Sequence, residues 1–260
     1  MICRNLLNIF SGDVLQKSSY VISVIIPTLN EEKLISKTLA QFTPELKKKY
    51  NIEVIVSDGG STDNTLNIIG ASAEFIIKAE EGKKQNIPIG RNAGAKHASG
   101  KYLYFINADT LIENPEQFFE ETLTALKEPK VAALTFKFCV FPDEEKLRDK
   151  MFHGTYNNYV YLLNKCGMGM GRGECQIVKK EFFEKVCGYN ENLPAGEDYD
   201  LYRRLAKHGK IKYLRSIIIF ESPRRYRQRG YVKVLWDWTI NSLSVLFRNK
   251  AVSEKWDEVR

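Results

Sequence analysis

Three apolar runs in this chain end in polar turns rich in carboxylates and amides, and this arrangement narrows the fold more than any other feature. Tyr102–Ile106 leads into Asn107-Ala108-Asp109, Ile52–Ser57 into Asp58-Gly59-Gly60-Ser61-Thr62-Asp63, and Tyr20–Ile26 into Pro27-Thr28-Leu29-Asn30. Short runs of β-branched and aromatic residues bounded by such turns read as buried strands. A strand that ends in Asp or Asn presents it at the carboxyl edge of its sheet, where open α/β sheets bind ligands. Three such ends describe one polar crevice above a parallel sheet.

Residues 21–135 alternate between strand and helix patterns. Strands read at 21–26, 52–57, 74–78, 101–106 and 130–136, and helices at about 31–42, 63–70, 89–98 and 115–127. This alternation predicts an α/β fold, a Rossmann-like, doubly wound and mostly parallel sheet with crossover helices on both faces. Asn30 is placed to cap the helix carrying Glu31 and Glu32, and Ser61 or Asp63 to cap the next. The stretch 137–175 is irregular and ends in the glycine run Gly167–Gly173. A strand at 174–178, a helix at 179–186, a loop at 187–195, a helix from Gly196 and a strand at 211–220 follow. The arginine-rich Ser222–Gly230 and the apolar Tyr231–Phe247 close the chain. The expected organisation is a leader over 1–19, one main domain over 20–230, and a C-terminal helical extension and tail over 231–260.

With 260 residues, 43% of them hydrophobic, the chain can bury a large core. A net charge of +7 suits an anionic partner, whether nucleotide, lipid surface or nucleic acid, and equally a plain solvated surface. The five cysteines (3, 139, 166, 175 and 187) have no CxxC spacing and the three histidines are not at ligand spacing from them, which argues against zinc and for a reduced, cytoplasmic setting. No run approaches the ~20 apolar residues of a spanning helix. At helical spacing, Val232, Leu235, Trp236, Ile240, Leu243, Leu246 and Phe247 suit a helix docked on the domain's own core. The alternative is an interfacial helix making peripheral contact with the cytoplasmic membrane face, aided by Arg248 and Lys250.

The motifs Val24–Glu31, Val56–Thr65, Gly90–Gly100, Phe105–Asp109 and Gly196–Leu205, in this order, resemble the family 2 glycosyltransferases, inverting enzymes of the GT-A fold. The resemblance covers roughly 20–230 and implies transfer of a sugar from a UDP- or GDP-sugar to an acceptor hydroxyl or lipid phosphate. The implied partners are a nucleotide-sugar donor and a glycan, lipid-linked or small-molecule acceptor, not nucleic acid. By the same resemblance, Pro27, Thr28, Asn30, Glu31, Asp58, Gly59, Arg91, Asn92, Asn107 and Ala108 belong to the nucleotide site, with Asp58 accepting from the base. Arg91 and Asn92 are expected at a helix start, a natural place for base or phosphate, although Arg91 also suits a surface ion pair. Asp109 matches the last carboxylate of the family's Asp-x-Asp motif and implies Mg²⁺ or Mn²⁺, hard ions that take few protein carboxylates beside a diphosphate. Asn107 departs from that motif and brings no charge. Glu197-Asp198 matches the Glu-Asp pair whose Asp is the general base, and the same residues suit a helix N-terminus. Gly173, Glu174 and Gln176 are expected to line the donor-sugar and acceptor pocket, and Arg224 and Arg225 to close over the diphosphate. A basic nucleic-acid-binding protein and an inactive binding module on the same fold are the competing readings.

Overall fold

The structure, a computed structural model, describes residues 20–80, 85–248 and 250–253. The leader expected over 1–19 lies outside the described residues, as does the tail over 254–260. In chain order the elements are β1 (Ile22–Thr28), α1 (Ile35–Ala40), α2 (Pro44–Tyr50), β2 (Ile52–Asp58), α3 (Thr65–Ile69) and β3 (Phe75–Lys78). They continue with α4 (Ile87–His97), β4 (Tyr102–Ile106), β5 (Thr110–Ile112), α5 (Pro115–Leu126), β6 (Val131–Val140) and α6 (Leu147–Lys165). The last are β7 (Cys175–Lys179), α7 (Lys180–Lys185), α8 (Glu197–Ala206), β8 (Lys210–Glu221), α9 (Arg224–Arg229) and α10 (Tyr231–Arg248).

All these strands join one sheet in the order β3-β2-β1-β4-β7-β6-β8-β5. β3, β2, β1 and β4 are parallel. Every residue of β2 and β4 is buried, as expected of strands covered on both faces. The helix α4 lies so close to the sheet that a Cβ on Gly94 would come within 2.4 Å of Ile25 Cγ2. The parallel, doubly wound pattern holds to this point, and then β7 enters between β4 and β6, antiparallel to both. The insertion has a consequence for the site: the start of β7 lies beside the end of β4, pairing Cys175 with Ile106. Asn107 N donates to Glu174 O at 3.0 Å, so the glycine run is drawn to the sheet's carboxyl edge.

Two local expectations are corrected. The first helix begins at Ile35, not 31, and Asn30 does not cap it. Asn30 adopts a left-handed conformation (φ 53°), and its Oδ1 accepts from Thr62 N at 2.8 Å, tying the β1 loop to the β2 loop. The second correction is α6, which runs for 19 residues through the stretch expected to be irregular. Its buried face includes Asp149, His153 and Asn157, so no apolar periodicity announces it. Asn157 bonds both N and O of Phe138 (3.0 and 2.8 Å), and Asp149 pairs with Arg227, while buried His153 Nε2 makes no hydrogen bond. α10 buries Val234, Asn241 and Val245, and Val245 joins Tyr156, Val160, Met170, Leu193 and Tyr199 in a core cluster. Its inner face therefore docks on the domain. Among the described residues no helix is long and apolar enough to cross a membrane.

Candidate active site

A cleft open to solvent lies at the carboxyl edge of the sheet. Arg91 forms its floor. The expectation of Arg91 at a helix start is corrected, because Asn86 caps α4, accepting from Ile89 N at 2.9 Å, and Arg91 falls in the second turn. Its guanidinium is 1% exposed. Nη2 donates to Asn107 Oδ1 (2.9 Å) and Gly173 O (2.5 Å), and Nη1 to Glu197 Oε1 (3.1 Å) and Gln176 Oε1 (3.2 Å). One side chain thus joins α4, the end of β4, the start of β7 and the N-terminus of α8. Burial works against its charge, but Tyr189, Glu197 and Asp198 more than offset that and raise its pKa.

α8 starts at Gly196, which holds φ 76°, and its first turn carries Glu197, Asp198 and Asp200, the charge sign a helix N-terminus favours. Burial pushes Glu197 up to about 7, with the neighbouring Asp198 adding to the effect and Arg91 opposing it. Asp198 is also raised, chiefly by burial and further by Glu174, although Tyr199 N donates to its Oδ1 at 2.7 Å. A Cβ added to Gly173 would lie 3.6 Å from Asp198 Oδ2 and 3.7 Å from Arg91 Nη2, so the glycine keeps that slot open.

A second buried arginine builds the adjoining wall. Arg172 is 3% exposed and stacks over Phe138 at 4.5 Å. Its Nη2 meets Glu221 Oε1 (2.5 Å) and Tyr226 OH (3.3 Å), and its Nε pairs with Glu174 Oε2 (3.3 Å). Burial raises Glu221 to about 8 despite Arg172, whereas Arg172 holds Glu174 below the usual range against its burial. Sequence reasoning placed Glu174 at the pocket but missed Arg172, Glu221 and Tyr226. The one signal is an arginine set within a glycine run.

The first two strand ends form a separate polar wall. Asp58, 1% exposed, accepts from Gly60 N (3.0 Å), Ser61 N (2.9 Å), Ser61 Oγ (2.5 Å) and Thr28 Oγ1 (3.3 Å). Gly59 N donates to Thr28 O at 2.8 Å, which locks this turn beside half-buried Pro27. Glu31 is 8% exposed and receives Arg224 Nη2 at 2.8 Å, and the same nitrogen donates to Asp109 Oδ2 at 2.9 Å. The fold therefore brings the first and third strand ends together through Arg224. Ala108 is buried, its carbonyl accepting from Thr38 Oγ1 at 2.7 Å. Arg225 lines the cleft with Asn107, Glu174, Glu197 and Asp198.

Two expected site residues lie elsewhere. Gln176 is fully buried beneath the floor, where it accepts from Arg91 and from Tyr189 OH (2.7 Å). Asn92 clamps the loop after α7, bonding Tyr189 O and Glu191 Oε1 (each 2.9 Å). For a metal, no group of three or more His, Cys, Asp or Glu exists among the described residues. An ion here would rest on the partly exposed Asp109 carboxylate and on phosphate and water, a donor set that fits Mg²⁺ or Mn²⁺.

A family model described as glycosyl transferase family 2 matches residues 23–187. The chain belongs to that family. Among curated proteins it is 36% identical, over 44% of its length and 37% of the relative's, to a dolichyl N-acetyl-alpha-D-glucosaminyl phosphate 3-beta-D-2,3-diacetamido-2,3-dideoxy-beta-D-glucuronosyltransferase of Methanococcus voltae. It is 27% identical, over 63% of its length and 41% of the relative's, to the poly(ribitol-phosphate) beta-N-acetylglucosaminyltransferase TarP of Staphylococcus aureus. The chain thus spans less than half the length of either relative. Among solved structures, the mannosyltransferase PcManGT of Pyrobaculum calidifontis, in complex with GDP-Man and Mn²⁺, aligns with TM-score 0.65 at 22% identity over 85% of this chain and 61% of that one. Residues 1–349 of S. aureus TarS in complex with UDP-GlcNAc align with TM-score 0.59 at 18% identity, over 90% and 68%. These likenesses establish the GT-A fold, and the family match places the chain among the family 2 glycosyltransferases.

The Arg91–Glu197 pair generates a stability prediction. Arg91→Met leaves Glu197 buried without its cation and should destabilise the fold by about 3–5 kcal/mol. Adding Glu197→Gln should recover part of that loss in urea denaturation. Losses that simply add would show that the two groups are energetically independent.

Proposed function

We propose that the protein moves a sugar from a UDP- or GDP-sugar to an acceptor hydroxyl or lipid phosphate with inversion at the anomeric carbon, and that Asp198 is the general base. One observation carries this reading: Asp198 lies at the cleft, facing the slot left by Gly173, beside a Glu197 anchored to the Arg91 floor. An in-line displacement needs a base opposite the leaving group to take the acceptor's proton. A carboxylate raised by burial holds that proton better than an ordinary one. Glu197 keeps the pair in place and is available to the acceptor. We assign the transferase domain to 20–230, with the extension from 231 closing one side of its cleft.

The nucleotide is assigned to the wall made by Pro27, Thr28, Asn30, Glu31, Asp58 and Gly59. Asp58 there exchanges a turn hydroxyl for a base N–H, and Asn107 reaches the ribose from its place beside Arg91. Arg224 and Arg225 offset the diphosphate, and Gly173 and Glu174 border the sugar. Asp109 holds the Mg²⁺ or Mn²⁺, which when bound acts as a Lewis acid for the charge left on the nucleoside diphosphate. Arg224 Nη2 lies 2.9 Å from Asp109 Oδ2, so an ion held by Asp109 would compete with this guanidinium, which then turns to the phosphates. Support comes from relatives: besides PcManGT with GDP-Man and Mn²⁺, glucosyl-3-phosphoglycerate synthase of Mycobacterium tuberculosis is solved with Mn²⁺ and UDP. The acceptor classes named for relatives include a dolichyl-linked sugar and poly(ribitol phosphate).

Asp198→Asn should lower kcat by at least about 10²-fold while nucleoside diphosphate affinity stays within a few fold. Because the ionised base is the active form and burial raises Asp198, kcat/KM of the parent should fall as pH drops, with an inflection above the usual aspartate range. Glu197→Gln removes a like charge and should move that inflection to lower pH. An inflection unmoved by Glu197→Gln, or normal turnover in Asp198→Asn, would remove this pair from the chemistry.

The shared carboxylate gives a second prediction, read by calorimetry with Mn²⁺ alone. Arg224→Ala frees Asp109 and should tighten Mn²⁺ binding by roughly 3- to 10-fold, on the order of 1 kcal/mol for a partly exposed pair. Asp109→Ala should abolish binding. Equal affinities in all three proteins would place the metal elsewhere.

A further inference from the structure

Large hydrophobic side chains are exposed at thirteen described positions, and eleven of them lie in two stretches, 147–168 and 232–252. On α6 the most open are Leu147 (74%), Met151 (67%) and Leu162 (56%), and on α10 Val232 (85%), Trp236 (64%) and Phe247 (79%). Val232, Trp236, Leu243 and Phe247 are spaced i, i+4, i+11 and i+15, which aligns them along one side of α10. The opposite side, through Val234, Asn241 and Val245, is already buried against the domain. α10 is thus apolar on two faces, and a helix that only covers a core needs one. Scattered apolar residues need no explanation, but a concentrated patch marks an interaction surface.

The two helices touch through aromatic rings. Trp238 of α10 meets the rings of Phe152 and Tyr156 of α6 at centroid distances of 6.2 and 5.2 Å, and Tyr231 meets Phe152 at 5.1 Å. Charge sorts itself across them. The exposed charges of the two helices are Arg148, Lys150, Lys165, Lys233 and Arg248, all cationic, and Lys250 follows. Of their two acidic residues, Asp149 is fully buried against Arg227, and the half-buried Asp237 is neutralised by Arg229 (3.7 Å) and Lys233 (3.2 Å). Exposed carboxylates occur in the loop before α6, at Asp143 and Glu144. Apolar stripes with Trp and Tyr, flanked by cations and cleared of exposed anions, complement a bilayer surface of anionic headgroups, with the rings in the interface and the cations at the phosphates.

We propose that α6 and α10 together form a face that docks this protein on an anionic lipid surface. α10 also lines the cleft through Val234, Asp237, Trp238, Asn241 and Ser242, so docking sets the cleft's edge at headgroup level, within reach of a lipid-linked acceptor. The docking face rests on the surface of the two helices and does not depend on the transfer reading.

The test is sedimentation of the full chain with phosphatidylcholine vesicles, with and without phosphatidylglycerol, alongside light scattering in free solution. The expected result is binding to the anionic vesicles only, weakened by salt. The double variant Trp236→Ser, Phe247→Ser should lose about tenfold or more in vesicle affinity, with unchanged thermal unfolding and nucleoside diphosphate binding. Lys233→Glu with Arg248→Glu, which keeps the apolar stripe, should also weaken it. Absence of vesicle binding, or affinity undiminished in both variants, would overturn the proposal. So would a dimer without vesicle binding that Trp236→Ser, Phe247→Ser dissolves, since the face would then join two copies. Nucleotide binding that survives such a failure leaves the transfer reading standing.

Discussion

The buried guanidinium of Arg91 is the interaction on which the site depends. Placing a charge beneath a sheet edge carries a penalty of several kcal/mol unless its donors are matched. Here four acceptors on three separate pieces of chain meet its two terminal nitrogens, Asn107 after β4, Gly173 and Gln176 at the start of β7, and Glu197 of α8, while Nε makes no hydrogen bond. Each piece is therefore held in position by the same charge. The glycine run is pulled to the end of β4, the N-terminus of α8 is set over it, and Asp198 follows from the placement of Glu197. The close approach of α4 to the sheet at Gly94 lets an arginine from its second turn reach all four.

Arg172 repeats the device on the neighbouring wall with a different outcome. Its partners Glu174 and Glu221 share one cation and shift in opposite directions, one carboxyl held below its usual range and one raised to about 8. His153, pressed among them, is held to about 3 by burial and by Arg172, so it stays neutral at physiological pH. This cluster links α6, β8 and α9 to the glycine run, and Trp238 stacked 5.5 Å from the Arg172 guanidinium adds α10. The Arg91 cluster thus fixes the floor, and the Arg172 cluster fixes the wall that carries the C-terminal helix.

The parallel half of the fold was legible because β1, β2 and β4 are buried and read as largely apolar runs ending in polar turns. The insertion of β7 was not, since a short apolar strand carries no mark of its direction. α6 hid for a related reason: its inward face is built on Asp149, His153 and Asn157, polar groups that give no hydrophobic period. At the site, Asp58, Asp109, Glu197 and Asp198 stood out as carboxylates at strand ends and a helix start. The positions of Gln176 and Asn92 beneath or beside the cleft, and the joining of Glu31 to Asp109 by Arg224, depend on long-range contacts that no local pattern encodes.

Together these features describe a cleft whose floor is the Arg91 guanidinium, bordered by Glu197 and Asp198, facing a wall of strand-end turns. On the proposed reading Arg224 of α9 exchanges the Glu31 and Asp109 carboxylates for phosphates. Calorimetric titration of the purified chain with UDP and with GDP, each with and without Mn²⁺, tests this account most directly. The account predicts binding of one nucleoside diphosphate, strengthened by the metal. Failure of both nucleotides to bind under either condition would contradict it.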